Sequence, residues 1–340
     1  MTSTGRPIDF RSDTVTRPDD VMRRAMAEAE VDDNVIGTDP TIAELERRAA
    51  RTLGMPAALW TPSGTMANLI ALSVHLQRGD RFLAMRGAHV LTNELGSAAW
   101  LAGGMPDLLE HDAGPGRCTP ETLAAAIGHT GPYYTMRTTL LCLENTHNAA
   151  GGAVTPPDEH AQLLSVAKQA GLTVHLDGAR IWHAAVALQV PPAALTVGVD
   201  SVSACFSKGL GAPVGSVVAG SEEFVEQGRR MRQMLGGGVR QGGVLAAACL
   251  VALGRIDELA RTHEFAQRLA AGLAEHGWRV ATPDTNIVLA DVPDLTTALG
   301  WLQSLGIATV PMAGKVRFTT HRDLSAADIE EALRRIKTGA

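Results

Sequence analysis

Leu172-Thr-Val-His-Leu-Asp177-Gly-Ala-Arg180 and, further on, Ser201-Val-Ser-Ala-Cys-Phe206-Ser-Lys208-Gly-Leu-Gly211 are short apolar runs that each end in a charged side chain beside glycine. Comparable runs lie at 81–85, 139–143 and 214–219. An apolar run without alternation is the signature of a strand covered by helices on both faces. Helix signals lie between the runs. Thr41-Ile-Ala-Glu44 reads as a capping box, followed by Leu45, Ala49 and Leu53 at helical spacing and by Gly54 as terminator. Thr119-Pro120 opens a further helix with proline at its first position. This alternation predicts an α/β layer architecture, a mostly parallel sheet flanked by helices.

Past Gly236-Gly-Gly238 the pattern changes. An Ala-rich helix is expected over about 244–253 and a long helix to about 276. Strands are expected near 286–290, 307–310 and 315–320, with a helix near 294–305 and a last helix from Ser325. The expected division is a large domain over 1–243, including the N-terminal segment, and a small C-terminal α/β domain over 244–340.

The composition fits such a chain. Of 340 residues, 45% are hydrophobic and 19% charged, ample for a buried core and too apolar for disorder. Lys and Arg total 30 against 36 Asp and Glu, a net −6 without a basic cluster, which argues against nucleic acid as the partner. The first residues, Met1-Thr-Ser-Thr-Gly-Arg-Pro7, lack the apolar run of a secretory signal, and the longest apolar stretch, at 244–253, is far short of the roughly 18 residues of a membrane span. Cys118, Cys142, Cys205 and Cys249 are scattered, with no CxxC pair, and read as buried thiols. No membrane partner and a cytoplasmic location are expected.

Three features could carry chemistry. Lys208 leaves the end of a buried run among small residues, where desolvation favours the neutral, nucleophilic amine suited to Schiff-base formation; an ordinary surface lysine is the plainer alternative. Gly209-x-Gly211 beside it lacks both the spacing and the helix of a dinucleotide fingerprint. Asp177 falls at the carboxyl end of its run, where α/β sheets bind ligands, and either faces a bound heterocycle or caps the next helix. Pro62-Ser-Gly64-Thr65 opens a helix whose unpaired amides make an anion site or a plain serine cap.

The order of these features resembles that of the low-specificity L-threonine aldolases, pyridoxal-phosphate enzymes of fold type I within the β-eliminating lyase group. The resemblance runs through Asp9-Phe-Arg-Ser-Asp-Thr-Val-Thr-Arg-Pro18, Asp39-Pro-Thr41, Pro62-Ser-Gly-Thr-Met-Ala-Asn68, Leu143-Glu-Asn-Thr-His-Asn148, Asp177-Gly-Ala-Arg-Ile181, Phe206-Ser-Lys-Gly-Leu-Gly-Ala-Pro213, Gly236-Gly-Gly-Val-Arg-Gln241 and Arg317-Phe-Thr-Thr-His321. It implies pyridoxal 5′-phosphate as cofactor, with Lys208 as its covalent anchor, Asp177 on the pyridine nitrogen, and Gly64 and Thr65 on the phosphate. It also implies His89 stacked on the ring and reaching the substrate hydroxyl, and Ser12, Arg180 and Arg317 on the substrate carboxylate. Arg240 is implied as a further phosphate or intersubunit contact, and either Tyr134 or His129 as a group facing the substrate. No metal is implied. The implied activity is cleavage of L-threonine, L-allo-threonine and related β-hydroxy-α-amino acids to glycine and an aldehyde, in a homotetramer built from dimers. A same-fold enzyme acting on phenylserine, a β-eliminating lyase or an aminotransferase is the alternative.

Overall fold

The computed structural model describes residues 7–128 and 131–339. His129 lies outside the described residues. The centre is a seven-stranded sheet in the order Ala57–Thr61, Ser216–Gly220, Ser201–Cys205, Thr173–Gly178, Thr138–Glu144, Arg81–Met85, Met105–Leu109. Ser216–Gly220 runs antiparallel to both neighbours, and the other pairs are parallel. The reversal follows from the connection. Only residues 206–215 separate it from Ser201–Cys205, too few for the crossover of about a dozen residues that parallel pairing needs. The edge strands Ala57–Thr61 and Met105–Leu109 are additions to the expected set. Pro106 hides the second of them from a sequence reading, and a proline is tolerated there because the strand is at the edge.

Register does the work of assembling the site. Glu144 pairs with Asp177 and Asp177 with Ser203, so the carboxyl ends of three adjacent strands deliver polar side chains side by side. On the next strand over, Cys205 and Thr61 both pair with Ser216. The helix Gly64–His75 begins just after that edge, capped by Ser63, whose Oγ accepts from Met66 N at 3.2 Å.

The helix Pro40–Thr52 is capped two residues earlier than the expected capping box. Asp39, not Thr41, is its cap and accepts from Ile42 N at 2.9 Å, with Pro40 in the first turn; the Thr41 hydroxyl instead donates to Glu30 O. The expected helix starts at Thr119 and Ser325 are both found: Thr119 caps Pro120–Ile127 and Ser325 caps Ala326–Thr338.

A second sheet, fully antiparallel, has the order Val310–Met312, Lys315–Thr319, Ile287–Asp291, Arg279–Val280, and packs with Leu259–Glu275, Leu295–Ser304 and Ala326–Thr338 around its own core. Packing does not follow the 243/244 line. Ala246, Ala248, Cys249 and Ala252 of the helix Gly243–Leu253 sit in the core of the large sheet. At the other end of the chain, Ile8 and Phe10 are buried in the second core, where Ile8–Asp9 pairs in parallel with Ile307–Ala308. The four cysteines are free and buried. Among the described residues no helix is long and apolar enough to cross a membrane.

Candidate active site

Lys208 follows Ser201–Cys205 in the turn that leads to the antiparallel strand. Its Nζ lies 3.1 Å from Cys205 Sγ, and its carbonyl accepts from Thr16 Oγ1 at 3.1 Å. The start of the helix Gly64–His75 faces it. A Cβ on Gly64 would lie 2.6 Å from Cys205 Sγ and 3.9 Å from Lys208 Nζ, so only glycine lets this helix terminus come so close. Thr65, the next residue, is exposed in the first turn. The result is a helix start on one side and a primary amine on the other, the chemistry that a phosphate and an aldehyde call for.

Asp177, 1% exposed, ends the neighbouring strand. One carboxylate oxygen accepts from Ala179 N at 3.0 Å and the other from Asn68 Nδ2 at 2.8 Å. Asn68 uses its whole amide. Its second Nδ2 bond reaches Glu94 Oε1 at 2.9 Å, and its Oδ1 accepts from Ser203 Oγ at 2.7 Å and His175 Nε2 at 3.2 Å. Behind His175, Ser201 Oγ lies 2.8 Å from both His175 Nδ1 and His75 Nε2. Burial pushes His175 down to about 3 and His75 to about 4, so these imidazoles are neutral and serve as hydrogen-bond struts.

His89 begins a short helix after the strand Arg81–Met85, with Nδ1 2.8 Å from Glu94 Oε1 and its backbone N–H donating to Glu144 Oε2 at 2.7 Å. Burial opposes its charged form, but the bond to Glu94 and the charge of Asp177 outweigh that and raise its pKa. Three carboxyls are thus confined together. Burial and the charge of Asp177 push Glu144 up to about 7, and the same two causes raise Glu94. Ligand atoms of His89, Glu94 and Asp177 lie within 4.8 Å of one another, but the Asn68 amide bridges the two carboxylates with both of its N–H bonds, an arrangement that repels a cation.

A pair of buried arginines closes the other side. Arg180 makes a two-pronged ion pair with Asp13, at 2.8 and 2.7 Å, and its remaining Nη1 donates to Asn148 Oδ1 at 3.0 Å. That salt bridge holds the Asp13 carboxyl well below the ordinary range against a large burial cost. Arg317, from the second sheet, donates to the same Asn148 oxygen at 3.3 Å and to Arg11 O at 2.8 Å. Its Nε is buried without a partner, and among the described residues it forms no ion pair with a carboxylate. Burial and the charge of Arg180 lower it to about 10. Ser12 Oγ caps the adjoining turn by accepting from Thr14 N at 3.2 Å, and lies 3.5 Å from Asp13 Oδ1.

The structure therefore brings Lys208, Gly64, Thr65, Asp177, His89, Arg180, Arg317 and Ser12 around one set of strand ends. Two expected site residues are elsewhere. Tyr134 is 77% exposed, edge-on to Tyr133, and Arg240 is exposed and paired with Asp33 at 3.0 Å; neither hydrogen-bonds to the group in this chain. Sequence reading missed Asp13, Asn68, Glu94, Glu144 and Asn148. Four of them stand inside the quoted motif blocks, where a buried polar residue flanking the assigned one was the available signal. Glu94, five residues after His89, carried no such mark.

The model of the family described as beta-eliminating lyase matches residues 9–294. The chain is 40% identical to the probable low-specificity L-threonine aldolase 2 of Arabidopsis thaliana, over 97% of this chain and 96% of that one. It is 38% identical to the low specificity L-threonine aldolase of Escherichia coli K12, over 95% and 96%. Among solved structures, threonine aldolase of Leishmania major superposes with a TM-score of 0.84 at 20% identity, covering 98% of each chain, a likeness of fold. With a family model spanning most of the chain and relatives of this identity along nearly its whole length, the protein belongs to the beta-eliminating lyase family.

Proposed function

We propose that this protein cleaves L-threonine, L-allo-threonine and related β-hydroxy-α-amino acids between Cα and Cβ, giving glycine and an aldehyde, with pyridoxal 5′-phosphate as cofactor. The single observation that carries the reading is the surplus cation. Asp13 neutralises Arg180, whereas Arg317 is buried with only neutral acceptors and one vacant N–H, so the pair Arg180–Arg317 is one negative charge short. A substrate α-carboxylate supplies that charge, and the planar guanidinium fork suits it.

The remaining residues fit the cofactor. The cradle between Gly64, Thr65 and Lys208 receives the phosphate at the helix start and offers the amine for a Schiff base. Asp177, held in place by Ala179 N and Asn68, would face the pyridine nitrogen and keep a proton on it. Bound there, pyridoxal phosphate supplies an electron sink for the pair released at Cα. His89 takes the hydroxyl proton, the O–H pair closes the aldehyde carbonyl, and Lys208 returns a proton to Cα. Ser12 adds a hydroxyl beside the carboxylate site.

We further read the protein as a cytoplasmic homotetramer of dimers. The exposed apolar side chains Leu95 and Trp100, and Tyr133 edge-on to Tyr134, support a subunit contact. Tyr134 and Arg240, exposed in the single chain, would enter a site across such a contact. The test is purified protein with L-threonine and L-allo-threonine, the aldehyde followed through a coupled reductase. Acetaldehyde and glycine in equal amounts are expected. Ammonia or a keto acid instead would overturn the aldol reading in favour of elimination or transamination.

A further inference from the structure

We propose that Glu94 is a positioning residue for the cleavage: it holds His89 through Nδ1 so that Nε2 is the atom that takes the hydroxyl proton, and Asn68 ties that pair to Asp177. The inference rests on the substrate class proposed above and adds how its proton is handled.

The geometry starts at Glu94. Its side chain is fully buried and is fixed at one oxygen by two donors from different elements, His89 Nδ1 at 2.8 Å and Asn68 Nδ2 at 2.9 Å. A carboxylate on Nδ1 selects the tautomer with the proton on that nitrogen, which leaves Nε2 with its lone pair exposed toward the cleft; the His89 side chain is 33% accessible. As Nε2 takes a proton, the imidazolium that forms is met by a charge already in place, the logic of a base oriented by a third group. The opposite end of the chain is equally fixed. Asn68 donates its two N–H bonds to Glu94 and Asp177, and accepts from Ser203 and His175. A shift of Glu94 therefore moves the carboxylate assigned to the pyridine nitrogen. The charged groups facing His89 are Glu94 on its own loop, Asp177 and Glu144 on the two neighbouring strand ends, and Lys208 across the cleft. Removing the Glu94 charge removes the one of the three carboxyls that is hydrogen-bonded to the His89 ring; Glu144 meets only the His89 backbone N–H.

Glu94→Gln tests this because it keeps the shape and the acceptor for His89 but not the charge. In the holoenzyme kcat for threonine is expected to fall about 10²-fold, part of the factor general-base help provides, with KM changed less than about twofold. The acid limb of kcat/KM, set by protonation of His89, should move to lower pH. Exchange of the glycine Cα–H with D2O, which involves no hydroxyl proton, should keep its rate. In a His89→Asn background the same change should cost nothing more. Glu94→Asp, with its charge retained, should leave the acid limb in place, and serves if the Gln variant is insoluble. Equal loss of glycine exchange and threonine cleavage, additive losses in the double variant, or an unmoved acid limb would each overturn the role of Glu94. A wild-type enzyme that exchanges glycine but cleaves neither threonine isomer would overturn the substrate reading instead.

Discussion

Gly64 is the residue on which the proposed cofactor cradle turns. Its φ is unremarkable, and what the position requires is space: a methyl there would meet Cys205 Sγ at 2.6 Å, the thiol that lies against the Lys208 amine. Gly64→Ala is expected to cost about 1–3 kcal/mol through overpacking and to weaken cofactor binding more than it lowers kcat at saturating cofactor. Thermal unfolding and a spectral titration of the stripped protein measure the two effects. Unchanged cofactor affinity would show that the helix start does not form the cradle wall. Glu94 behaves differently. Nothing in its type or spacing marks it, because its function depends on Asn68 and Asp177 reaching the same point from a helix and a strand distant in sequence.

Among the elements, the helix Pro40–Thr52 shows where a sequence motif misleads. Thr41-Ile-Ala-Glu44 has the letters of a capping box, yet Pro40 is already helical and the chain turns at Asp39. Asp39 does more than cap: its second oxygen accepts from Gly243 N at 2.8 Å and so joins this helix to the start of Gly243–Leu253. Asp39→Ala leaves two backbone donors without partners and should lower stability by about 2–4 kcal/mol. Thr41→Ala removes only the bond to Glu30 O and should cost less than about 1.5 kcal/mol. Urea midpoints rank them, and a larger loss for Thr41→Ala would restore the capping-box reading. The strands were more legible. Arg81–Met85 appears over the expected residues, and the others differ by a residue or two, because apolar runs buried on both faces have no other use in a chain of this composition.

For the whole molecule, the decisive connection is Asp13 with Arg180. The N-terminal segment pairs with Ile307–Ala308, buries Phe10 in the second core, and sends Asp13 into the carboxyl ends of the large sheet, where Thr16 also reaches Lys208 O. Both arginines of the proposed carboxylate site, Arg180 and Arg317, depend on it. Asp13→Asn strands a buried guanidinium and is expected to cost about 3–5 kcal/mol and to raise KM for the amino acid. The pH dependence follows from the sign of the shift. The folded pKa of Asp13 lies below its ordinary value of 3.8, so its stabilisation is present above that value and is lost as pH falls toward the folded one. The stability gap between wild type and Asp13→Asn should be constant from pH 7 to 5 and narrow below about 4. A gap that widened in acid would contradict the ion pair.

The layer architecture, most strand positions and the residue types of the site were legible in the chain, because apolar patterning and the glycine, lysine and aspartate at strand ends are local features. Tertiary structure decided the rest. It reversed the strand Ser216–Gly220, moved Gly243–Leu253 into the large core, left Tyr134 and Arg240 on the surface, and set Asn68, Glu94 and Asn148 between the expected groups. Such placements depend on registers and contacts between segments far apart in the chain, and a polar side chain acquires its partner only when burial makes an unpaired hydrogen bond too costly to leave.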